Sequence, residues 1–280
     1  MKLTPLPIAP VAVLLIAVLT GCADEPKPVD DEPPQEVQSP DVSEIEALGG
    51  FVTRDGDAVV EISLSNTDID DEGLAHLKDI KTLKKLLLGR AKITDAGLIH
   101  LKDLTNLESL YLADTQLTGI GLAHLQKSKN LKDLNLRNTQ LTDAGLEHLR
   151  SLPNLERLYI TRTKITDAGL ASLRDMTKLN RLWLDDTQVT DAGLAHLKDL
   201  TSLEHLWLDN TAVTDAGLIH VKGLKNLKAL YLGGTSITDI GLGHLQSLPK
   251  LDELHVWSTK VTDEGVEKFE EARPECWIDK

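Results

Sequence analysis

The stretch that decides the fold is 179-LNRLWLDDTQVTDAGLAHLKDLTS-202, because the same 24-residue text recurs on both sides of it. With Leu179 as position 1 the unit reads LxxLxLxxTxVTDAGLxxLxxLxx. Units begin at Val59, Leu83, Leu107, Leu131, Leu155, Leu179, Leu203, Leu227 and Leu251, with no insertion among them. Position 6 is Leu, Ile or Val throughout, and position 16 is Leu in every unit but the last, which has Val266. So regular an apolar lattice predicts a stacked solenoid core.

Within one unit the residue types dictate local structure. Around position 5 the alternation turns Leu182 and Leu184 inward and Arg181, Trp183 and Asp185 outward, so positions 3 to 7 read as a strand with one wet face. Thr190 is placed to cap a helix, Asp191 to sit at its positive end, and Leu194, Leu197 and Leu200 to press one side of it onto the sheet. Gly193 lets that helix approach closely, and Pro153 and Pro249 fall where a helix gives way to the next strand. Parallel strands stack about 4.8 Å apart whereas helices need about 10 Å, so the stack must bend with its strands inside.

This pattern resembles the leucine-rich repeats, in particular the subtype with an ITDAGL-like helix start after an LxxLxL strand, and is similar to the cysteine-containing subtype. The resemblance covers about three quarters of the chain. It implies an α/β horseshoe with a parallel sheet on the concave face and helices on the convex face. One departure is consistent: where that family usually has Asn or Cys at position 9, this chain has Thr in eight units, from Thr67 to Thr259, with Ala91 the gap. Inward hydroxyls bonding to buried backbone are expected there.

The flanks differ. Residues 1–21 carry one charge, Lys2, then an apolar run over 6–19, too short for a spanning helix and so read as an export signal. Residues 19–22, LTGC, resemble a bacterial lipobox. That resemblance implies cleavage before Cys22 and a diacylglycerol on its sulfur, with a further acyl chain such as palmitate on the new amino group. Ala23 after the cysteine implies the outer rather than the inner membrane. Residues 22–40 are rich in Pro and acid and read as a disordered tether. An N-terminal cap is expected over 41–58, nine repeats over 59–274 and a cap strand over 275–280.

Charge and cysteine usage set limits. The net charge of −14 becomes −15 without Lys2, of which residues 23–46 carry −8 and the folded part −7. No basic stripe is evident, which argues against nucleic acid as a partner. Only Cys276 would remain as a free thiol after acylation, so no intramolecular disulfide is expected.

No nucleophile triad, buried carboxylate pair, phosphate loop or CxxC stands outside the repeat, so neither enzyme activity nor a cofactor is expected. Seven histidines share position 18, but successive convex helices hold them too far apart to converge on a metal. Asp185, Asp186, Asp209 and Asn210 could in principle offer oxygen ligands for Ca²⁺, but solvated acids are the expected reading. The aromatic residues are more informative. Tyr159, Trp183, Trp207 and Tyr231 occupy position 5 of four consecutive units, flanked by Arg157, Arg181 and His205 on one side and by Asp185 and Asp209 on the other. Such a row either stabilises the sheet as a ladder or marks a contact site. The reading favoured is a monomeric, lipid-anchored cell-envelope module that binds a protein or peptide through these nine residues, with Gly233 and Gly234 leaving room for a bulky group. The alternative is a carbohydrate-contacting or purely structural envelope protein.

Overall fold

The computed structural model describes residues 42–280. The expected export signal, Cys22 and the tether lie outside the described residues. An 11-stranded sheet runs in strict chain order: β1 (Phe51–Asp55), β2 (Ala58–Ser63), β3 (Lys85–Leu87), β4 (Ser109–Tyr111), β5 (Asp133–Asn135), β6 (Arg157–Tyr159), β7 (Arg181–Trp183), β8 (His205–Trp207), β9 (Ala229–Tyr231), β10 (Glu253–His255) and β11 (Trp277–Asp279). The first pair is an antiparallel hairpin and every later pair is parallel, with residue n opposite residue n+24 from β2 to β11. That register is the repeat period itself.

Each of β3 to β10 spans three residues, shorter than positions 3 to 7, although bonding between units continues beyond it: Leu184 N donates to Trp207 O and Asp186 N to Asp209 O. The strand ends because position 8 turns left-handed. Asn66, Arg90, Asp114, Asn138, Arg162, Asp186, Asn210 and Ser258 all have φ between +53° and +61°. Asn and Asp tolerate that region best, and they fill five of these eight places. The threonine column follows the turn as expected. Each hydroxyl from Thr67 to Thr259 donates to the carbonyl three residues earlier at 2.6–2.7 Å, closing the turn inside the core.

Behind the sheet, the leucines at positions 1, 4, 6, 16, 19 and 22 merge into one continuous core; Leu182, Leu184, Leu194, Leu197 and Leu200 are fully buried. The convex elements are not α-helical throughout. Units 1 to 3 carry 3₁₀ turns (Gly73–Leu77, Gly97–Leu101, Ile120–Leu125), while a short α1 (Ser43–Ala47) precedes the hairpin. Further α-helices are α2 (Asp143–Leu146), α3 (Asp167–Leu170), α4 (Asp191–Leu197), α5 (Asp215–Val221), α6 (Asp239–Leu245) and α7 (Asp263–Ala272). Apolar residues spaced every three positions suit three residues per turn as well as 3.6. At the far end Phe269 is wholly buried and β11 closes onto β10, whereas Phe51 at the near end is exposed.

The TDAG text joins each unit to the next. Asp167 accepts from Thr190 twice, from the backbone N–H and from the hydroxyl, both at 2.7 Å; Asp191 receives the same pair from Thr214. These carboxylates thus bind the following unit, which the expected helix-end role of Asp191 did not include. Gly193 belongs to the same device, since a Cβ there would lie 2.4 Å from Asp167 Oδ1. The rung is missing once, between units 3 and 4, where Gly119 replaces the aspartate and Thr142 N donates to Thr118 O instead. Asparagines at position 24 add a second set: Asn106, Asn130, Asn154 and Asn226 donate to carbonyls of the preceding unit.

Candidate functional site

The 24-residue register places position 5 of successive strands side by side, and the rings there stack face to face. Centroid spacings are 3.7 Å for Tyr159–Trp183, 4.1 Å for Trp183–Trp207, 4.9 Å for Trp207–Tyr231 and 4.3 Å for Tyr231–His255, with planes within 13° of parallel. Trp277 closes the run edge-on against His255. The structure therefore brings together Tyr159, Trp183, Trp207 and Tyr231 and extends the row to His255, an aromatic at position 5 that a count of Phe, Tyr and Trp passes over. Strand spacing near 4.8 Å leaves neighbouring rings no other arrangement than a stack. Inside the run the ring planes cover one another, and solvent meets their edges. Neither indole N–H of Trp183 or Trp207 has an acceptor among the described residues, and neither is sealed from solvent. The Tyr231 hydroxyl, in contrast, donates to Glu253 Oε1 at 2.7 Å, and burial together with that carboxylate raises its pKa.

The flanking residues divide. Arg157 is held in a two-point ion pair by the buried carboxylate of Asp133 through Nε and NH2, so it is committed to the sheet and not offered to a ligand. Arg181 is exposed and its guanidinium has no hydrogen-bond or ion-pair partner among the described residues, though its charge acts on Glu204 and His205. His205 lies beside Trp207 at 5.7 Å, and burial and then the Arg181 charge lower its pKa.

Across the ladder, Asp185 and Asp209 are built into the strand ends. Asp185 accepts from Asp209 N at 3.1 Å and from the Thr161 hydroxyl at 3.1 Å, while Asp209 accepts from Gly233 N at 2.7 Å. They are not the solvated acids expected: burial pushes the Asp185 carboxyl up to about 6 and raises that of Asp209 as well. With Asp186, Asn210, Arg137, Arg162 and the edges of Tyr159 and Trp183 they line a concavity of about 470 Å³. Among the described residues no three of His, Cys, Asp and Glu converge to hold a metal ion. The room expected over Gly233 is filled by Trp257, whose indole would stand 2.0 Å from a Cβ at that glycine.

Two family models match the chain: one described as leucine rich repeats (2 copies) over residues 105–148 and 129–173, and one described as leucine rich repeat over 201–261. The matched units are leucine-rich repeats. Neither description is of a catalytic domain. Among solved structures the chain is similar to internalin C2 of Listeria monocytogenes, 26% identical with TM-score 0.55, over 73% of this chain and 74% of that one. It is also similar to a leucine-rich-repeat protein of Leptospira interrogans, 21% identical with TM-score 0.57, over 73% and 56% of the two chains. The plant peptide hormone receptor RGFR1 in complex with RGF2 shares the fold at 18% identity and TM-score 0.55, over 78% of this chain and 35% of that one. No curated protein matches the chain.

Proposed function

We propose that this solenoid is a lipid-anchored envelope module that binds an extended peptide or protein segment along the ring edges of its concave face. The observation that supports the reading is the uninterrupted stack from Tyr159 to His255, with two indole donors unpartnered among the described residues, an Arg181 without a hydrogen bond or ion pair on one side and a concavity lined by three aspartates and two arginines on the other. A structural ladder needs only the stacking; open donors beside an uncommitted guanidinium suit a partner with carbonyl and carboxylate acceptors. Covered ring planes favour a peptide over a glycan, because sugar stacking uses an open aromatic face.

The test separates stacking from recognition. Trp183→Phe/Trp207→Phe keeps the stack and removes both N–H donors; Trp207→Ala removes a central anchor. Against captured partners from the envelope or secretome, Trp207→Ala should weaken binding at least about thirtyfold, whereas His196→Ala/His220→Ala on the convex side should change nothing. Retained binding by the tryptophan variants together with loss in the histidine variants refutes the concave-face reading. A shift in tryptophan fluorescence with glycan fragments but not with peptides moves the assignment to carbohydrate. For the anchor, Cys22→Ser expressed with lipoprotein processing should leave the membrane fraction, because every expected acyl chain is carried by Cys22.

A further inference from the structure

Because every parallel strand starts on the same side, all helix-to-strand junctions lie along one edge of the solenoid and all strand-to-helix junctions along the other. Charge is sorted between these edges. The nine junctions 78–84, 102–108 and onward at the 24-residue period to 270–276 hold sixteen lysines and arginines against eleven acids, a net +5. The opposite junctions, 65–72 and onward to 257–264, hold six basic residues against sixteen acids, a net −10. The modest charge of the whole folded part conceals this separation, and the basic stripe that the linear sequence did not reveal is present once the units are stacked. It is densest at its third and seventh junctions, which contain three lysines each and no acid: Lys127, Lys129 and Lys132, then Lys222, Lys225 and Lys228.

We propose that this strand-start edge docks on an anionic lipid bilayer. Stacked junctions repeat at strand spacing and so present a long row of ammonium groups on one side of the molecule, the form that a planar array of headgroups can meet all at once. Nucleic acid fits less well: the edge has only three arginines, Arg150, Arg174 and Arg273, the last committed to backbone carbonyls of Leu248 and Leu251, and no aromatic residue, so the bidentate and stacking contacts that such ligands use are scarce on it. Neighbouring acids temper the field without reversing it, since Lys127 pairs with Asp103, Lys132 with Glu108 and Lys228 with Glu204 and the count remains +5. The −10 edge is repelled by the same surface, so the two edges together set one orientation. In that orientation the sheet stands upright on the bilayer and the ring ladder opens sideways.

The experiment uses the full chain carrying Cys22→Ser, so that no acyl chain attaches at that thiol. Co-sedimentation is measured with phosphatidylcholine vesicles and with vesicles containing a roughly 30% share of phosphatidylglycerol. At low salt the protein should partition onto the anionic vesicles at least about tenfold more strongly, and this preference should fade above roughly 0.15 M salt. Glutamine at all six lysines of the two dense junctions should abolish the preference, and melting curves establish that the variant is folded. If it melts early, the two three-lysine variants are compared separately, each expected to lose part of the preference. Glutamine at Arg90, Lys92 and Arg162 on the opposite edge should leave it intact. Equal partitioning onto both vesicle types, an undiminished preference in the folded lysine variants, or binding to heparin or single-stranded DNA without binding to vesicles overturns the proposal.

Discussion

Asp185→Asn should make the protein more stable at neutral pH, although it removes a charge and adds no contact. The carboxyl titrates at about 6 in the fold, chiefly because burial penalises its ionised form, against a reference of 3.8. The folded state therefore holds its proton more tightly than the unfolded chain. Stability contributed by this group is fully present below about 4, falls as pH rises between about 4 and 6, and is lost above that. The displacement corresponds to up to about 3 kcal/mol of penalty at pH 7, which partial exposure of the carboxyl reduces to about 1–2 kcal/mol. Asparagine is nearly isosteric, can still accept from Asp209 N through its Oδ1, and lets the Thr161 hydroxyl turn to accept from its amide. For a folded unit of this size the gain is about 2–8 °C in Tm. Melts of parent and variant at pH 7 and pH 4 test it: the variant should lead at pH 7, and the lead should vanish at pH 4. A variant equal to or weaker than the parent at pH 7, or a difference independent of pH, refutes the reasoning.

Three further outcomes follow from the core and its rungs. Leu184→Ala, at a fully buried site, should cost about 2–5 kcal/mol, whereas Asn180→Ala should cost less than about 0.5; equal shifts in melting midpoint contradict the register. Gly193→Ala should cost at least about 2 kcal/mol, because its Cβ would displace the Asp167 carboxylate that binds Thr190, and amide exchange should rise at Thr190 first. Ser128 stands where units 2 and 4 have Leu104 and Leu152, and its buried hydroxyl has no partner among the described residues; Ser128→Leu should raise stability by about 1–2 kcal/mol in urea titrations.

Features that repeat at one position of every unit were legible in the sequence because periodicity states the contact partner in advance. The leucine lattice, the threonine column and the outward aromatic row are of this kind, and so is the parallel sheet they imply. Features that depend on two units at once were harder to see. The Asp167–Thr190 rung spans 23 residues, and although the recurring TD pair and the glycine two residues after its aspartate carried the signal, each residue had a satisfactory explanation within its own unit. Arg157 looked free because its partner, Asp133, lies one unit earlier, and Gly233 looked open because Trp257 lies one unit later. The segregated edges were hidden for a different reason: net charge is a sum, and opposite terms in it cancel before their positions are considered.

The rungs, the asparagine bonds and the ring stack all link residues 22 to 26 apart. Losing or gaining one residue inside a unit would put that unit out of step with both of its neighbours in all of these ladders at once. Removing or adding a complete unit of 24 between two similar neighbours returns each group to an equivalent partner. The molecule's length can therefore change only in whole quanta, and its reach along the ladder is set by counting units instead of by adjusting any one of them.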